Sequence, residues 1–422
     1  IANENMYNSN LYELMNYVQN VETYLAKATI SSSSTHAAET LTYLWREANL
    51  AETYLSNLPV QSQELENTAK FLNQVSDYSY SLSRKNIKGE ELSDEEFNNL
   101  EELHTYSLSL EDTLNQLAWD LENGSISWKQ LAQTEKDQFS QAVSSEIDMF
   151  STLEENFHEY AGLIYDGAYS EHLTSTEKKG LTGDEIDEER AKQIAIEFVG
   201  QERIKEITAG GLTNNTDMPS FDFYINLNDE KDEDNQMIIS ITQKGGHIVL
   251  MNYNRDVEAE TITNERANEI GINFLNQRGL PNMKETYYLK QSGILTINYA
   301  YHQETQNGDV TMYPDLIKLK IALDNGEILG IETTGYLNSH YERNLPEVKI
   351  SKEEAKQNLN KNLQINSESL AVIPTEFQTE IFCWEFKGTV DGTEFLVYIN
   401  AETGREEDIL VIQNTPDGTL TM

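Results

Sequence analysis

The chain has 422 residues, 72 of them Asp or Glu against 30 Lys or Arg, for a formal net charge of −42. That length accommodates two to four domains with separate cores. The charge argues against nucleic acid as a partner, because phosphate contacts need a basic footprint, and against unaided adsorption to an anionic membrane. Basic proteins, cations and neutral surfaces stay open.

Both halves are acidic: residues 1–170 hold 28 acidic and 8 basic residues, the remainder 44 and 22. The one cysteine, Cys383, sits in the apolar run Ile381-Phe382-Cys383-Trp384 and reads as a small buried hydrophobe. No run of eighteen apolar residues is present, so nothing in this sequence reads as a bilayer span. The chain begins at Ile1 instead of Met, which reads as a processed or truncated product.

Residues 1–166 read as a bundle of helices. Tyr7, Leu11, Leu14, Val18, Val21 and Leu25 recur at spacings of four and three, one stripe of a helix. Leu41, Leu44, Ala48, Ala51, Leu55 and Leu58 repeat the pattern and stop at Pro59. Leu65, Ala69, Leu72, Val75 and Leu82 predict a third helix. Ser93 with Glu96 forms a capping box before a fourth, whose buried face is Leu103, Tyr106, Leu110, Leu114, Leu117 and Leu121, and Asn123-Gly124 ends it. Phe139, Val143, Ile147, Phe150, Leu153 and Phe157 mark a fifth. Such helices joined by short loops make an antiparallel bundle. Tyr24, Tyr43, Tyr78 and Tyr80 fall off the main stripes and are candidates for a partner surface, with core packing the favoured role.

Residues 167–185 are turn-rich, opening at Asp166-Gly167 and containing Lys179-Gly180-Leu181-Thr182-Gly183, and read as a linker open to proteolysis.

From residue 186 the chain repeats itself. Ile186-Asp187-Glu188-Glu189-Arg190-Ala191 returns as Ile262-Thr263-Asn264-Glu265-Arg266-Ala267 and as Ile350-Ser351-Lys352-Glu353-Glu354-Ala355. Asp187, Thr263 and Ser351 are helix N-cap types, and Ser351 with Glu354 makes a capping box. Each helix is followed by three strand-like runs: 221–227, 237–241 and 247–251; then 294–301, 316–323 and 328–331; then 381–386, 395–399 and 409–412. The last two strands of each copy flank a glycine turn ending at Gly246, Gly326 or Gly404, and Asn325-Gly326 predicts a type I′ hairpin. The units fall at 186–258, 259–345 and 346–422. A helix on an antiparallel sheet, three times over behind a bundle, is a multidomain α+β architecture.

The unit of a helix of about a dozen residues and strands ending in a hairpin such as Val397-Tyr398-Ile399-Asn400-Ala401-Glu402-Thr403-Gly404 resembles the PepSY domain. The distances Ala191 to Gly246, Ala267 to Gly326 and Ala355 to Gly404 are similar, at 55, 59 and 49 residues. Three such units behind an acidic helical segment containing Tyr43-Leu44-Trp45-Arg46 resemble the bacterial spore germination YpeB family over nearly the whole chain. That resemblance implies a non-enzymatic protein on the outer face of the spore inner membrane, held by an N-terminal anchor that this sequence lacks. It implies a spore cortex-lytic enzyme of the SleB kind as partner, which the protein stabilises and holds inactive during dormancy. No catalytic, cofactor-binding or metal-ligating residues transfer from the resemblance, and none are assigned; a homo-oligomer is left open.

Competing chemistry finds little support in the residues. Ser175-Thr176-Glu177-Lys178 matches Ser-x-x-Lys without its companion motifs. The seven histidines, His36, His104, His158, His172, His247, His302 and His340, show no ligand spacing. The acidic stretch 228–235 is the best cation candidate, yet counting from Asn228 the EF-hand glycine and glutamate positions hold Glu233 and Ile239, which favours a solvated loop over a calcium site. The alternatives to a regulator are a cell-wall hydrolase and a ligand-sensing extracytoplasmic domain. Two surfaces suit partner binding, the edge strands of the sheets and the helices.

Overall fold

The structure is a computed structural model that describes residues 2–59, 63–133, 178–213, 218–228, 236–375, 379–415 and 418–422. The expected fifth helix, His158, His172, Ser175, residues 167–177 of the linker and residues 229–235 of the acidic stretch lie outside the described residues.

Four long helices open the chain: α1 (Ala2–Ile30), α2 (Ser34–Ser56), α3 (Gln63–Ile87) and α4 (Asp94–Glu122). The apolar stripes meet as anticipated, with Leu11, Leu14, Val18, Val21 and Leu25 facing Leu41, Leu44, Ala48 and Leu55, and Leu72, Val75, Leu103 and Leu110 completing one core. The capping box at Ser93 forms in full. A short α5 (Trp128–Gln133) folds back so that the Trp128 indole donates to Asn8 Oδ1 at 2.6 Å. Tyr24 and Tyr78 pack against the core, whereas Tyr80 is 46% exposed and meets Trp45 at 5.4 Å between ring centroids.

Among the described residues, the three repeats join in one 13-stranded sheet. The first contributes α6 (Glu188–Val199), β1 (Ile204–Thr213), β2 (Ser220–Leu227), β3 (Met237–Thr242) and β4 (Ile248–Tyr253). The second contributes α7 (Asn264–Gln277), β5 (Met283–Gln291), β6 (Ile294–Thr305), β7 (Gly308–Ala322), β8 (Ile328–Glu332) and a short α8 (Thr334–Ser339). The third contributes α9 (Lys352–Gln357), β9 (Gln364–Pro374), β10 (Glu380–Val390), β11 (Thr393–Asn400), β12 (Glu406–Thr415) and β13 (Gly418–Thr421). Each repeat therefore has a strand directly after its helix, β1, β5 or β9, which the sequence reading did not anticipate.

The strand order is β1-β2-β3-β4-β8-β7-β6-β5-β13-β12-β11-β10-β9, and β9 also pairs with β7 in parallel through Val310–Met312 and Leu370–Val372. Strands of the second and third repeats thus close a circuit of eight. Tyr287, Tyr313, Cys383, Leu396, Tyr398 and Ile412 from five of these strands form one cluster within it. Cys383 is fully buried, as its apolar neighbours predicted, and burial pushes its thiol up.

Recurrence in the sequence has a packing cause. Gly246 and Gly326 adopt φ of 65° and 79°, and a Cβ on either would lie 2.7 Å from the side chain of Ile194 or Ile270. Each glycine turn is pinned beneath the first turns of its own helix, where a side chain has no room. In the third repeat Asn358 takes the isoleucine's place and donates to Gly404 O at 2.8 Å. The expected type I′ turn at Asn325-Gly326 is not formed, since Asn325 keeps negative φ and the loop runs five residues from Ala322 to Ile328. Paired positive φ occurs instead at Ser292-Gly293 and Asp391-Gly392, where the hairpins have two-residue loops.

Two arginines fasten the connections between repeats. Arg255 makes a two-pronged contact with Asp324 at 2.8 and 2.9 Å and reaches Glu327 at 2.7 Å, which holds the Asp324 carboxyl down at about 2. Arg343, 4% exposed, does the same to the fully buried Asp315 at 2.7 and 2.9 Å and pairs with Glu380.

Candidate interaction site between the helices and the third repeat

Among the described residues, the principal contact of the bundle helices with the sheet is made at β12. The end of α1 and the start of α2 lie against β12. Between them runs Ser31-Ser32-Ser33, where Ser33 caps α2 by accepting from the His36 amide. Serine suits this corner because its hydroxyl satisfies a helix-start amide, and neighbouring hydroxyls are then free to point outward.

They point at Glu406. Its side chain is 1% exposed, and the carboxylate accepts from Ser31 Oγ at 2.6 Å, from the Ser32 amide at 3.1 Å and from Ser32 Oγ at 2.9 Å, and lies 2.9 Å from His36 Nδ1. Burial alone would raise the Glu406 carboxyl, but His36 and the serine donors outweigh it and hold the group below its usual range. Burial likewise opposes charge on His36, and Glu406, Asp408 and Glu39 together overcome it, so His36 is raised. Lys27, 7% exposed beside the same strand, is lowered by burial, with Asp408 working against the shift. Around this polar centre Ala26 and Ile30 enter the core of the third repeat with Phe386, Val397, Ile409, Val411 and Met422.

Beside the contact lies a cleft of about 750 Å³ between Ser31–Ser34, Asn86 and Phe97 on the helical side and Asn358–Asn362 on the other. Both polar atoms of the Asn86 side chain, which is 3% exposed, lack a partner among the described residues.

The other expected surfaces are distributed as follows. Strand β1 pairs only with β2 and leaves the one open edge of the sheet among the described residues. Lys205 and Glu206 lie on it, and its pairing shifts at Gly211, both of which blunt an edge. Of the described histidines, His104 pairs with Glu22 at 2.6 Å, His247 with Thr182 O at 2.7 Å, His302 with Asp309 at 3.1 Å and His340 with Asp315 at 2.8 Å. No cluster of His, Cys, Asp or Glu among the described residues could hold a metal ion, and no described helix is long and apolar enough to cross a membrane. The sequence reading passed over His36 and Glu406 because 370 positions separate them and neither belongs to a local motif. The serine run 31–34 was the only signal.

An acidic helical bundle docked on a continuous sheet of three helix-and-sheet repeats defines a PepSY-type protein. Residues 1–130 match the family described as YpeB N-terminal, residues 147–346 the family of YpeB sporulation PepSY1 and PepSY2 domains, and residues 349–410 the peptidase propeptide and YPEB domain. The chain belongs to the YpeB family of sporulation proteins. It is 28% identical to the sporulation protein YpeB of Bacillus subtilis over 419 residues, covering 97% of this chain and 90% of that protein. It is 27% identical to that of Halalkalibacterium halodurans over 413 residues, with the same coverage of both chains. Among solved structures, the Bacillus megaterium YpeB C-terminal domain aligns at 29% identity and a TM-score of 0.49, over 55% of this chain and all of that one.

Proposed function

We propose that this protein is a non-enzymatic regulator that binds a spore cortex-lytic enzyme of the SleB kind, stabilises it and holds it inactive until germination. The reading places the protein outside the cytoplasm, anchored at the outer face of the spore inner membrane. The observation that carries it is the similarity, over 97% of the chain, to proteins named sporulation protein YpeB, together with a third repeat whose family is described as a peptidase propeptide domain. A protein that binds only the folded, inactive form of an enzyme stabilises it by mass action and restrains it at once.

Co-purification of the full chain with the lytic enzyme tests the reading, with cortex fragment release measured alongside. The expected result is a stable complex that releases fewer fragments than the enzyme alone. Fragment release by this chain without added enzyme, or no complex at micromolar concentrations of both, would overturn it.

A further inference from the structure

The first two repeats cover their sheets with helices of 12 and 14 residues. The third begins alike, with the Ser351 capping box and buried Ala355, but its helix stops after six residues. Leu359 and Leu363 still reach the sheet, and the core is then completed from outside the repeat, by Ala26 and Ile30 of α1, 1% and 2% exposed. These residues are one helical turn apart and take no part in the core of the bundle, which uses Val18, Val21 and Leu25 of the same helix. Helix α1 therefore has two apolar faces, one for its own bundle and a short one for the sheet.

The polar half of the contact has the same one-sidedness. Among the described residues, every hydrogen bond to the Glu406 carboxylate comes from the helical side. The third repeat alone leaves a carboxylate at the start of the strand that carries Ile409 and Val411, aimed at groups it does not itself supply. A cleft lies beside the contact, and the bundle and the third repeat keep separate cores, with Leu25 in the one and Ala26 and Ile30 in the other.

We propose that the β12 face of the third repeat, with Glu406 at its edge, is a helix-docking site that the α1–α2 corner fills in cis. Its partner is a protein that presents an amphipathic helix of the same chemistry: a small residue, a β-branched residue one turn later, then a hydroxyl-rich turn whose donors meet Glu406. The seated α1–α2 corner defines that occupant, since it is the pattern the face already accepts. A partner helix binds only when the corner lifts, so its apparent affinity is reduced by the fraction of chains that are open. The proposal deepens the regulatory reading and rests on it for the partner's identity alone; the docking face is tested without any lytic enzyme.

The probe is a fluorescein-labelled peptide of residues 17–36, titrated with the full chain and followed by polarisation. The chain carrying Ile30→Asp, whose own corner no longer fits the face, is expected to bind the peptide at least tenfold more tightly than the unaltered chain. A peptide that itself carries Ile30→Asp is expected to bind neither. Should the Ile30→Asp chain lose cooperative melting, His36→Ala, which leaves the apolar contact in place, provides the comparison with an expected gain of at least threefold. Equal binding to altered and unaltered folded chains would overturn the proposal. A doubling of mass of the unaltered chain in light scattering, abolished by Ile30→Asp, would assign the face to a second copy and also overturn it.

Discussion

His36 at the start of the second helix lies 2.9 Å from Glu406 on β12, and the two are 7% and 6% exposed. The pair joins the two ends of the chain through shifted groups of opposite sense. His36 is raised, so its contribution is fully present below its ordinary value of about 6.5 and is lost as pH rises through the folded value. Glu406 is lowered, so its contribution is present above about 4.3 and is lost as pH falls through the folded value. The contact is therefore expected to be tightest between about pH 4.3 and 6.5 and to loosen toward alkaline pH. The groups facing His36 are Glu406, Asp408 and Glu39, with Lys27 beside the same strand. Hydrogen exchange at the amides of residues 31–36, corrected for the intrinsic pH dependence, is expected to show less protection at pH 8.5 than at pH 6. Glu406→Gln is expected to flatten that difference; an unchanged pH response in the variant would remove the pair as its cause.

The Arg343–Asp315 pair secures the connection from the second repeat to the third. Both groups are buried, and Glu380 and His340 complete the network. Removing one partner leaves a buried charge uncompensated, so Arg343→Leu is expected to cost about 3 to 5 kcal/mol. Replacing both with leucine removes that charge and is expected to recover most of the loss. Urea unfolding of the single and double variants checks this. A double variant no more stable than the single one would mean that packing of the arginine stem, and not charge compensation, sets the cost.

Gly271 in α7 stands where the first repeat has Ala195 and the third Leu359. Helix propensity favours alanine by about 1 kcal/mol. At Gly271, however, a Cβ would lie 2.2 Å from the Tyr299 hydroxyl and 3.1 Å from Ile321. Tyr299 is wholly buried and has nowhere to retreat. Overpacking is expected to win, and Gly271→Ala to destabilise by about 1 to 2 kcal/mol net. Adding Tyr299→Phe removes the clashing oxygen and is expected to return much of that loss; thermal melting of the three variants forms the cycle.

These sites differ in how far the sequence announced them. The first four helical stripes and the capping boxes at Ser93 and Ser351 are local patterns that form on the residues expected, and the glycine turns recur at the expected glycines, with a longer loop at Asn325-Gly326 than the type I′ turn foreseen. The strands directly after the repeat helices were missed for local reasons too. Strand β1 is an exposed edge interrupted by Gly210 and Gly211, and β9 begins with a polar run, Gln364 to Ser369, before its buried half. What no local pattern carried is how the units join. The parallel β7–β9 pairing, the β5–β13 pairing and the contact of Ser31 and His36 with Glu406 are long-range. Each depends on surfaces that exist only once the separate units have folded. The candidate site belongs to this last class, which is why the sequence reading assigned it no residues.

Within the bundle, Glu111 on α4 is pushed up to about 7 by burial, with Glu22 and Asp112 adding to the shift. A raised acid is held in its neutral form by the fold, so the bundle binds this proton more tightly than the unfolded chain does. Stability then falls as pH rises from about 4.3, the ordinary glutamate value, through about 7. Above that range the charged Glu111 side chain meets the like charges of Glu22 and Asp112. Glu111→Gln keeps the size and removes the ionisation. Because the group is partly open to solvent, the gain expected at pH 8 is about 1 kcal/mol, with none at pH 4. Thermal melting of both chains across that range checks the slope as well as the size of the effect. Parallel curves for wild type and variant would place the pH dependence on other acids of this chain.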